Sequence, residues 1–201
     1  ALSYRKMQRE QEVGYAKDFS LDEVNAFIHT LPFKLTKDQK QSAKDILLDL
    51  HNPTIMYRFL QGDVGSGKTA VSMVLLLYML ENSYQGVLMA PTEILAVQHY
   101  LSVKDKFEKL GVRVELLTGI FTGKKKQRLL EDIVNGDVGI VIGTHALIEE
   151  SVVFHRLGMI IIDEQHRFGV LQRKALRDKG VLANLVVMSA TPIPRSLALS
   201  I

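Results

Sequence analysis

The residues with the clearest chemical meaning form one octapeptide, Gly62-Asp63-Val64-Gly65-Ser66-Gly67-Lys68-Thr69, which fits G-x-x-x-x-G-K-[ST] at every fixed position. An apolar strand-like run precedes it and a long helical pattern follows it. Its glycines let backbone N–H groups turn toward phosphate oxygens, and the following helix adds the positive end of its dipole. We predict that Lys68 reaches the β- and γ-phosphates of a nucleoside triphosphate and that Thr69 binds Mg²⁺. A glycine-rich turn without a ligand is the alternative, and the complete match disfavours it.

Two carboxylates follow a second apolar run, in which residues 158–162 lead directly into Asp163 and Glu164. We expect Asp163 to hold Mg²⁺ through its water shell and Glu164 to orient and deprotonate the water that attacks the γ-phosphate. A solvated end of a strand would explain the pair equally well if it stood alone. Its position after a phosphate-binding loop in the same predicted sheet makes catalysis the more specific interpretation.

Gln39 lies upstream of the loop and has two possible roles. Its amide could pair with adenine N6 and N7, with Phe33 stacked on or beside the base. Thr36 and Gln39 also fit a capping box, in which the Gln39 side chain bonds back to the Thr36 N–H. One amide cannot do both at once, and the residues alone favour the cap.

Three later junctions share one device, a hydroxyl or glycine at the point where a strand leads toward a helix. They are Thr92, the pair Thr118 and Gly119, and the pair Thr144 and His145. A single junction of this kind indicates only a capped helix. Three along one edge of a sheet suggest a track for a sugar-phosphate backbone, because helix N-termini bind phosphate oxygens.

Two further features bear on this track without deciding it. The basic residues 124–126 and Arg128 could add positive charge, although a solvated helix face is the more common explanation of such a run. Ser189 and Thr191 follow the last apolar run, where their hydroxyls could connect the carboxylate pair to the track. Alone they would be interpreted as a helix cap before proline.

Apolar strand-like runs alternate with helical patterns along most of the chain, which predicts a mainly parallel α/β sheet with helices on both faces. The predicted strands are residues 55–60, 87–90, 112–117, 139–142, 159–162 and 185–188. The predicted helices include one after Thr36, one over residues 68–80 and one over residues 93–110. Each polar motif follows a strand at its carboxyl end, where α/β proteins bind ligands.

The composition limits the size of the fold, the compartment and the possible partners only broadly. With 201 residues, 47% of them hydrophobic, the chain suffices for one α/β domain and a short appendage. No cysteine is present, and no apolar run approaches a membrane span, so we expect a soluble, cytoplasmic protein. The six histidines show no ligand spacing, and the net charge of +3 permits a nucleic-acid partner without requiring one. We divide the chain into a helical connector, residues 1–31, and a nucleotide-binding domain, residues 32–201.

The order of these motifs resembles the first motor domain of RecG-type superfamily-two DNA helicases, over about residues 31–201. The most specific parts are His166-Arg167-Phe168-Gly169, after the carboxylates, and Pro192-Ile193-Pro194-Arg195. The related transcription-repair coupling factor Mfd shares them, but Gln165 favours the RecG type. The resemblance implies a RecA-like P-loop NTPase domain that uses ATP and Mg²⁺ to translocate on double-stranded DNA at stalled forks and junctions, in recombination and repair.

The resemblance also assigns roles to single residues. It implies that Gln39 reads adenine, that Thr92, Thr118 and Thr144 face DNA, and that Ser189 and Thr191, with His166, couple the ATP state to the grip on DNA. Such motors use a second RecA-like domain, which supplies a catalytic arginine, and a wedge domain for branched DNA. Neither is recognisable here, so we expect an excised domain preceded by the connector. An Mfd-type translocase domain and a nucleotide switch without nucleic acid remain alternatives, although no Asn-Lys-x-Asp motif supports the switch.

Overall fold

The computed structural model of the protein describes residues 28–29, 34–50, 52, 54–163, 178–179 and 183–190. The elements alternate as the sequence predicts. The α-helices are α1 (Lys37–Leu50), α2 (Lys68–Glu81), α3 (Glu93–Phe107) and α4 (Gly123–Asn135). The strands are β1 (Tyr57–Gln61), β2 (Gln85–Met89), β3 (Val114–Leu117), β4 (Ile140–Gly143), β5 (Leu157–Ile162) and β6 (Asn184–Ser189). Short 3₁₀ helices cover Glu108–Leu110 and His145–Ile148.

The strands form one parallel six-stranded sheet in the order β1-β6-β5-β2-β4-β3. Every residue of β2, β4, β5 and β6 is buried, as expected for strands covered on both faces. The predicted parallel α/β architecture is confirmed. The strand order places β6 between β1, which leads into the phosphate-binding loop, and β5, which leads into Asp163.

Two apolar layers cover the sheet. One contains α1 and α2, together with Val103 and Phe107 of α3, and the other contains Leu129 and Ile133 of α4. Helix α2 is buried without interruption from Ala70 to Met79, because the sheet covers one side and α1 packs on the other. This explains why its sequence lacks an amphipathic pattern, since a helix that is apolar all round is a buried one.

Two buried side-chain amides, Asn184 and Gln85, lie at the amino-terminal ends of β6 and β2. The Asn184 side chain accepts a hydrogen bond from the Met56 N–H (2.9 Å) and donates one to the Gly158 carbonyl (3.1 Å). The Gln85 side chain donates to the carbonyls of Ile133 (3.0 Å) and Val138 (2.8 Å). These bonds satisfy backbone groups near the beginnings of β1, β4 and β5 and at the end of α4, where an unpaired buried group would be costly.

The predicted boundaries differ from the observed ones by a few residues. The helix predicted over residues 93–110 changes to 3₁₀ geometry at Glu108, before Gly111 adopts φ 76°, which is a common way for helices to end. The predicted connector, residues 1–31, falls outside the described residues except for positions 28–29. Within the described ranges, no helix combines the length and the apolarity needed to cross a membrane.

Candidate nucleotide and nucleic-acid site

The phosphate-binding loop leaves the end of β1 and is anchored there by the neighbouring strand. The Gly62 N–H donates to the Ser189 carbonyl at the end of β6 (3.2 Å). The Ser66 N–H donates to the Asp63 carbonyl (3.0 Å), which closes a tight turn. Gly65 and Gly67 both have φ +81°, a conformation that side chains with a Cβ disfavour. The loop therefore has the curvature that its glycines predict.

Lys68 begins α2 and points back into this loop. Its ammonium group donates to the carbonyl oxygens of Gly62 (2.6 Å) and Asp63 (2.9 Å). A phosphate oxygen is a charged and therefore stronger acceptor than either carbonyl. The contact of Lys68 with the β- and γ-phosphates stays a prediction, and the observed position keeps the ammonium group beside the loop backbone where those phosphates would bind.

Gln39 joins the start of α1 to the same loop. Its Oε1 accepts from the Thr36 N–H (2.9 Å), and its own N–H donates to the Thr36 hydroxyl (3.2 Å), so the capping box is present. Its Nε2 donates to the Ser66 carbonyl (2.5 Å). Both ends of the amide are thus engaged within the protein. Adenine recognition by Gln39 remains a prediction, and it would require these bonds to rearrange.

A cavity of about 430 Å³ lies over the loop and contains both residues that we predicted to bind Mg²⁺. It is lined by Val64, Gly65, Gly67, Lys68, Thr69, Thr92, Leu95, Asp163 and Met188. A hydroxyl and a carboxylate are hard oxygen ligands, and Mg²⁺ in nucleotide sites binds few protein groups together with phosphates and waters. The described residues contain no cluster of three or more His, Cys, Asp or Glu side chains suited to a metal. The cavity therefore fits Mg²⁺ that arrives with a nucleotide.

Asp163 is held at two points at the end of β5. Its N–H donates to the Met89 carbonyl at the end of β2 (2.9 Å). Its Oδ2 lies 2.7 Å from Nε2 of His99, which belongs to α3. The predictions from the sequence give His99 no role. The available signal was its spacing of seven residues from Thr92, which places both on the same face of a helix.

A second cavity, of about 470 Å³, brings together most of the residues predicted to contact DNA. It is lined by Pro91, Thr92, Glu93, Gly119, Thr144, His145, Ala146 and Glu149. Thr92 lines both cavities, and its hydroxyl caps α3 by accepting from the Leu95 N–H (3.3 Å). Thr118 is buried and is not among the lining residues. Three of the four predicted junction threonines and glycines therefore reach this surface, together with His145.

Opposite charges meet at the edge of the second cavity. Lys126 of α4 forms an ion pair with Glu149 (2.6 Å), and the Lys179 ammonium donates to the Glu149 carbonyl oxygen. Partial burial lowers the pKa of Lys179, and nearby Glu150 and Glu149 oppose this effect. One member of the predicted basic run thus lies beside the cavity, while Lys124, Lys125 and Arg128 are exposed.

The remaining predicted site residues are Phe33, Glu164, His166, Ser189 and Thr191. Phe33, Glu164, His166 and Thr191 lie outside the described residues. Ser189 is described and buried at the end of β6, and its backbone carbonyl accepts a hydrogen bond from the Gly62 N–H of the phosphate-binding loop. The roles proposed for these five residues in adenine binding, catalysis and coupling stay predictions.

Comparison with known proteins connects this geometry to a family. The chain is 48% identical over 196 residues to an ATP-dependent DNA helicase RecG of Staphylococcus aureus and 49% identical over 199 residues to that of Bacillus subtilis. These alignments cover 98% and 99% of the chain. A solved structure of RecG bound to a three-way DNA junction superposes with a TM-score of 0.83, at 44% identity and with 98% of the chain covered.

The chain spans only 28% and 29% of the length of those two relatives and 26% of the chain in the solved complex. The similarity therefore concerns one segment of larger proteins. The profile of the DEAD/DEAH box helicase family matches residues 36–199, which include the phosphate-binding loop, the carboxylate pair and every strand described above. With this match added to the two adjoining cavities and the parallel sheet, the chain belongs to the DEAD/DEAH box helicase family.

Proposed function

We propose that this chain is the first ATP-binding motor domain of a RecG-type, ATP-dependent double-stranded DNA translocase that acts on stalled replication forks and junctions in recombination and repair. The observation that carries the proposal is the sharing of Thr92 between the cavity over the phosphate-binding loop and the cavity of junction residues. A motor must link its nucleotide state to its contact with DNA. The start of α3, where Thr92 lines both cavities, would connect the two sites directly. The family favours this proposal over a nucleotide switch without nucleic acid.

The nucleotide site would divide its tasks among few residues. The N–H groups of the loop and Lys68 would bind the phosphates of ATP, and Thr69 and Asp163 would hold the accompanying Mg²⁺. When bound, Mg²⁺ offsets the negative charge of the phosphate oxygens. Glu164 would accept the proton of the attacking water. Gln39 and Phe33 would contact adenine, after Gln39 releases the Ser66 carbonyl.

The DNA site would bind the sugar-phosphate backbone at Thr92, Gly119, Thr144 and His145, which line one cavity. Thr118 would act from beneath this surface, because its side chain is buried. Ser189 ends the strand between β1 and β5, and its carbonyl accepts the Gly62 N–H. This contact supports a coupling role for the segment that includes Ser189 and Thr191, with His166 as the third proposed member.

The remaining machinery would belong to other parts of a larger protein. We assign residues 32–201 to the motor domain and residues 1–31 to a connector from a wedge domain that binds branched DNA. A second RecA-like domain would close over the ATP site and supply an arginine, which is worth about 10³–10⁵ in rate in related phosphoryl-transfer proteins. The expected location is the bacterial cytoplasm, where the chromosome lies.

The test compares the 201-residue chain with the longer protein that joins it to the second motor domain. Calorimetry should detect ATP binding by the chain, and Lys68→Ala should abolish it, because no other cation of the loop reaches the β- and γ-phosphates. Hydrolysis by the chain alone should stay near background, whereas forked DNA should stimulate the longer protein. Binding by Lys68→Ala within about twofold of wild type would refute the nucleotide site. Stimulation by stalled RNA polymerase instead of forked DNA would favour the Mfd-type alternative.

A further inference from the structure

His99 makes a contact that the motor proposal does not use. Its Nε2 lies 2.7 Å from Oδ2 of Asp163, and each side chain is only 12% exposed. A carboxylate accepts hydrogen bonds but cannot donate them, so the imidazole must donate through Nε2–H. The bond is short and largely shielded from solvent, which makes it stronger than a comparable surface contact.

This bond completes a two-point attachment of Asp163 to one supersecondary unit. The Asp163 N–H donates to the carbonyl of Met89, the last residue of β2, and the side chain is bound by α3, the helix that follows β2. Both the position of the backbone and the rotation of the carboxylate are thereby defined. His99 binds one oxygen of the carboxylate, Oδ2, and the other oxygen, Oδ1, takes no part in this hydrogen bond.

We propose that His99 is a positioning residue that orients the Asp163 carboxylate for the Mg²⁺ of a bound nucleotide; the inference rests on the proposed nucleotide site. Groups that hydrogen-bond a metal-binding carboxylate fix its orientation and contribute to metal affinity. Thr92, which caps the same helix, lines both cavities. The His99–Asp163 bond therefore also connects the carboxylate to the helix whose start faces the proposed DNA surface.

A histidine that only fills space beside β5 is the competing explanation, and two substitutions distinguish it. His99→Gln keeps an N–H donor but loses the ring, whereas His99→Phe keeps a ring but loses the donor. If the hydrogen bond orients Asp163, His99→Gln should keep the Mg²⁺-dependent nucleotide affinity and His99→Phe should lose it. If His99 only fills space, His99→Phe should keep this affinity and His99→Gln should lose it. His155→Ala is the matched control, because His155 is exposed and lies next to Gly136, away from both cavities.

The measurement is the affinity of the 201-residue chain for a non-hydrolysable ATP analogue, with Mg²⁺ and with EDTA. The ratio of the two dissociation constants reports the contribution of Mg²⁺ without requiring hydrolysis. We expect His99→Phe to reduce that ratio about tenfold, the lower end of the range for partners of metal-binding groups. His99→Gln should stay within about threefold of wild type, and His155→Ala should leave the ratio unchanged.

The outcomes separate the two proposals. A wild-type chain that does not bind the analogue would overturn both the nucleotide site and the inference. If the wild type binds with a clear Mg²⁺ dependence and His99→Phe retains the full ratio, only the inference is overturned. Equal loss in His99→Phe and His99→Gln would also overturn it, because the donor would then have no specific role.

Discussion

Gly65 and Gly67 offer a controlled measurement of how α1 is joined to the phosphate-binding loop. Both have φ +81°, so alanine at either position carries the same backbone penalty. Their surroundings differ. A Cβ on Gly65 would meet nothing within 4 Å, whereas a Cβ on Gly67 would lie 2.3 Å from Nε2 of Gln39. Gly67→Ala must therefore displace the Gln39 side chain, and Gly65→Ala need not.

The magnitudes follow from these contacts. The left-handed backbone should cost either variant about 1–2 kcal/mol in free energy of unfolding. Gly67→Ala should additionally lose the two side-chain hydrogen bonds of Gln39, to the Thr36 N–H and the Ser66 carbonyl, at about 0.5–1.5 kcal/mol each. Alanine also restricts the unfolded chain, but this effect is shared by both variants and cancels in their difference. We expect Gly67→Ala to be about 1–3 kcal/mol less stable than Gly65→Ala.

Urea denaturation without nucleotide measures these differences, provided that the m-value stays constant. The decisive step repeats Gly67→Ala in a Gln39→Ala background, where the displaced side chain is already gone. There the cost should fall to that of Gly65→Ala. Equal costs for the two glycines in the wild-type background, or additivity of Gln39→Ala and Gly67→Ala within about 0.5 kcal/mol, would refute the proposed contact between Gln39 and the loop.

Three further predictions concern catalysis, the sheet and DNA binding. Glu164→Gln should keep nucleotide affinity but stop hydrolysis in the longer motor, because an amide cannot accept the proton of water; turnover near the wild-type rate would exclude Glu164 as the base. Gly143→Ala should reduce the free energy of unfolding by about 2–4 kcal/mol in urea titrations, because its Cβ would lie 2.0 Å from the Leu117 carbonyl oxygen. Gly119→Ala, whose Cβ would be 3.7 Å from its nearest neighbour, is the control, and similar losses would contradict the argument. Lys126→Ala should weaken DNA binding and make the negative slope of log affinity against log salt less steep by about 1. An unchanged slope would instead support the interpretation of the basic run as a solvated helix face.

The sequence by itself determined the features that depend on near neighbours along the chain. The loop at residues 62–69 was recognisable because all its fixed positions serve phosphate binding and lie next to one another in the sequence. The strands were recognisable as apolar runs because strands buried on both faces contain few polar side chains. The capping box at Thr36 and Gln39 was also correct, since its partners are three residues apart. Local spacing carries this information without reference to the rest of the fold.

Boundaries were less accurate for a physical reason. The strand predicted over residues 55–60 is Tyr57–Gln61, and that predicted over residues 87–90 is Gln85–Met89. A strand ends where its neighbours cease to offer hydrogen bonds, and those neighbours come from distant segments. The predicted strand omits Gln85, because a polar side chain is more typical of a loop. In the fold Gln85 is buried, and its side-chain amide donates hydrogen bonds to the carbonyls of Ile133 and Val138.

Only the tertiary structure decided which distant residues meet. The strand order β1-β6-β5-β2-β4-β3 is not encoded in periodicity, yet it places Asp163 beside β2 and Ser189 beside the loop. The contact of Gln39 with Ser66 crosses 27 positions and that of His99 with Asp163 crosses 64. Such contacts depend on sheet register and helix packing together, because side chains at strand ends become neighbours only after the strands between them have paired.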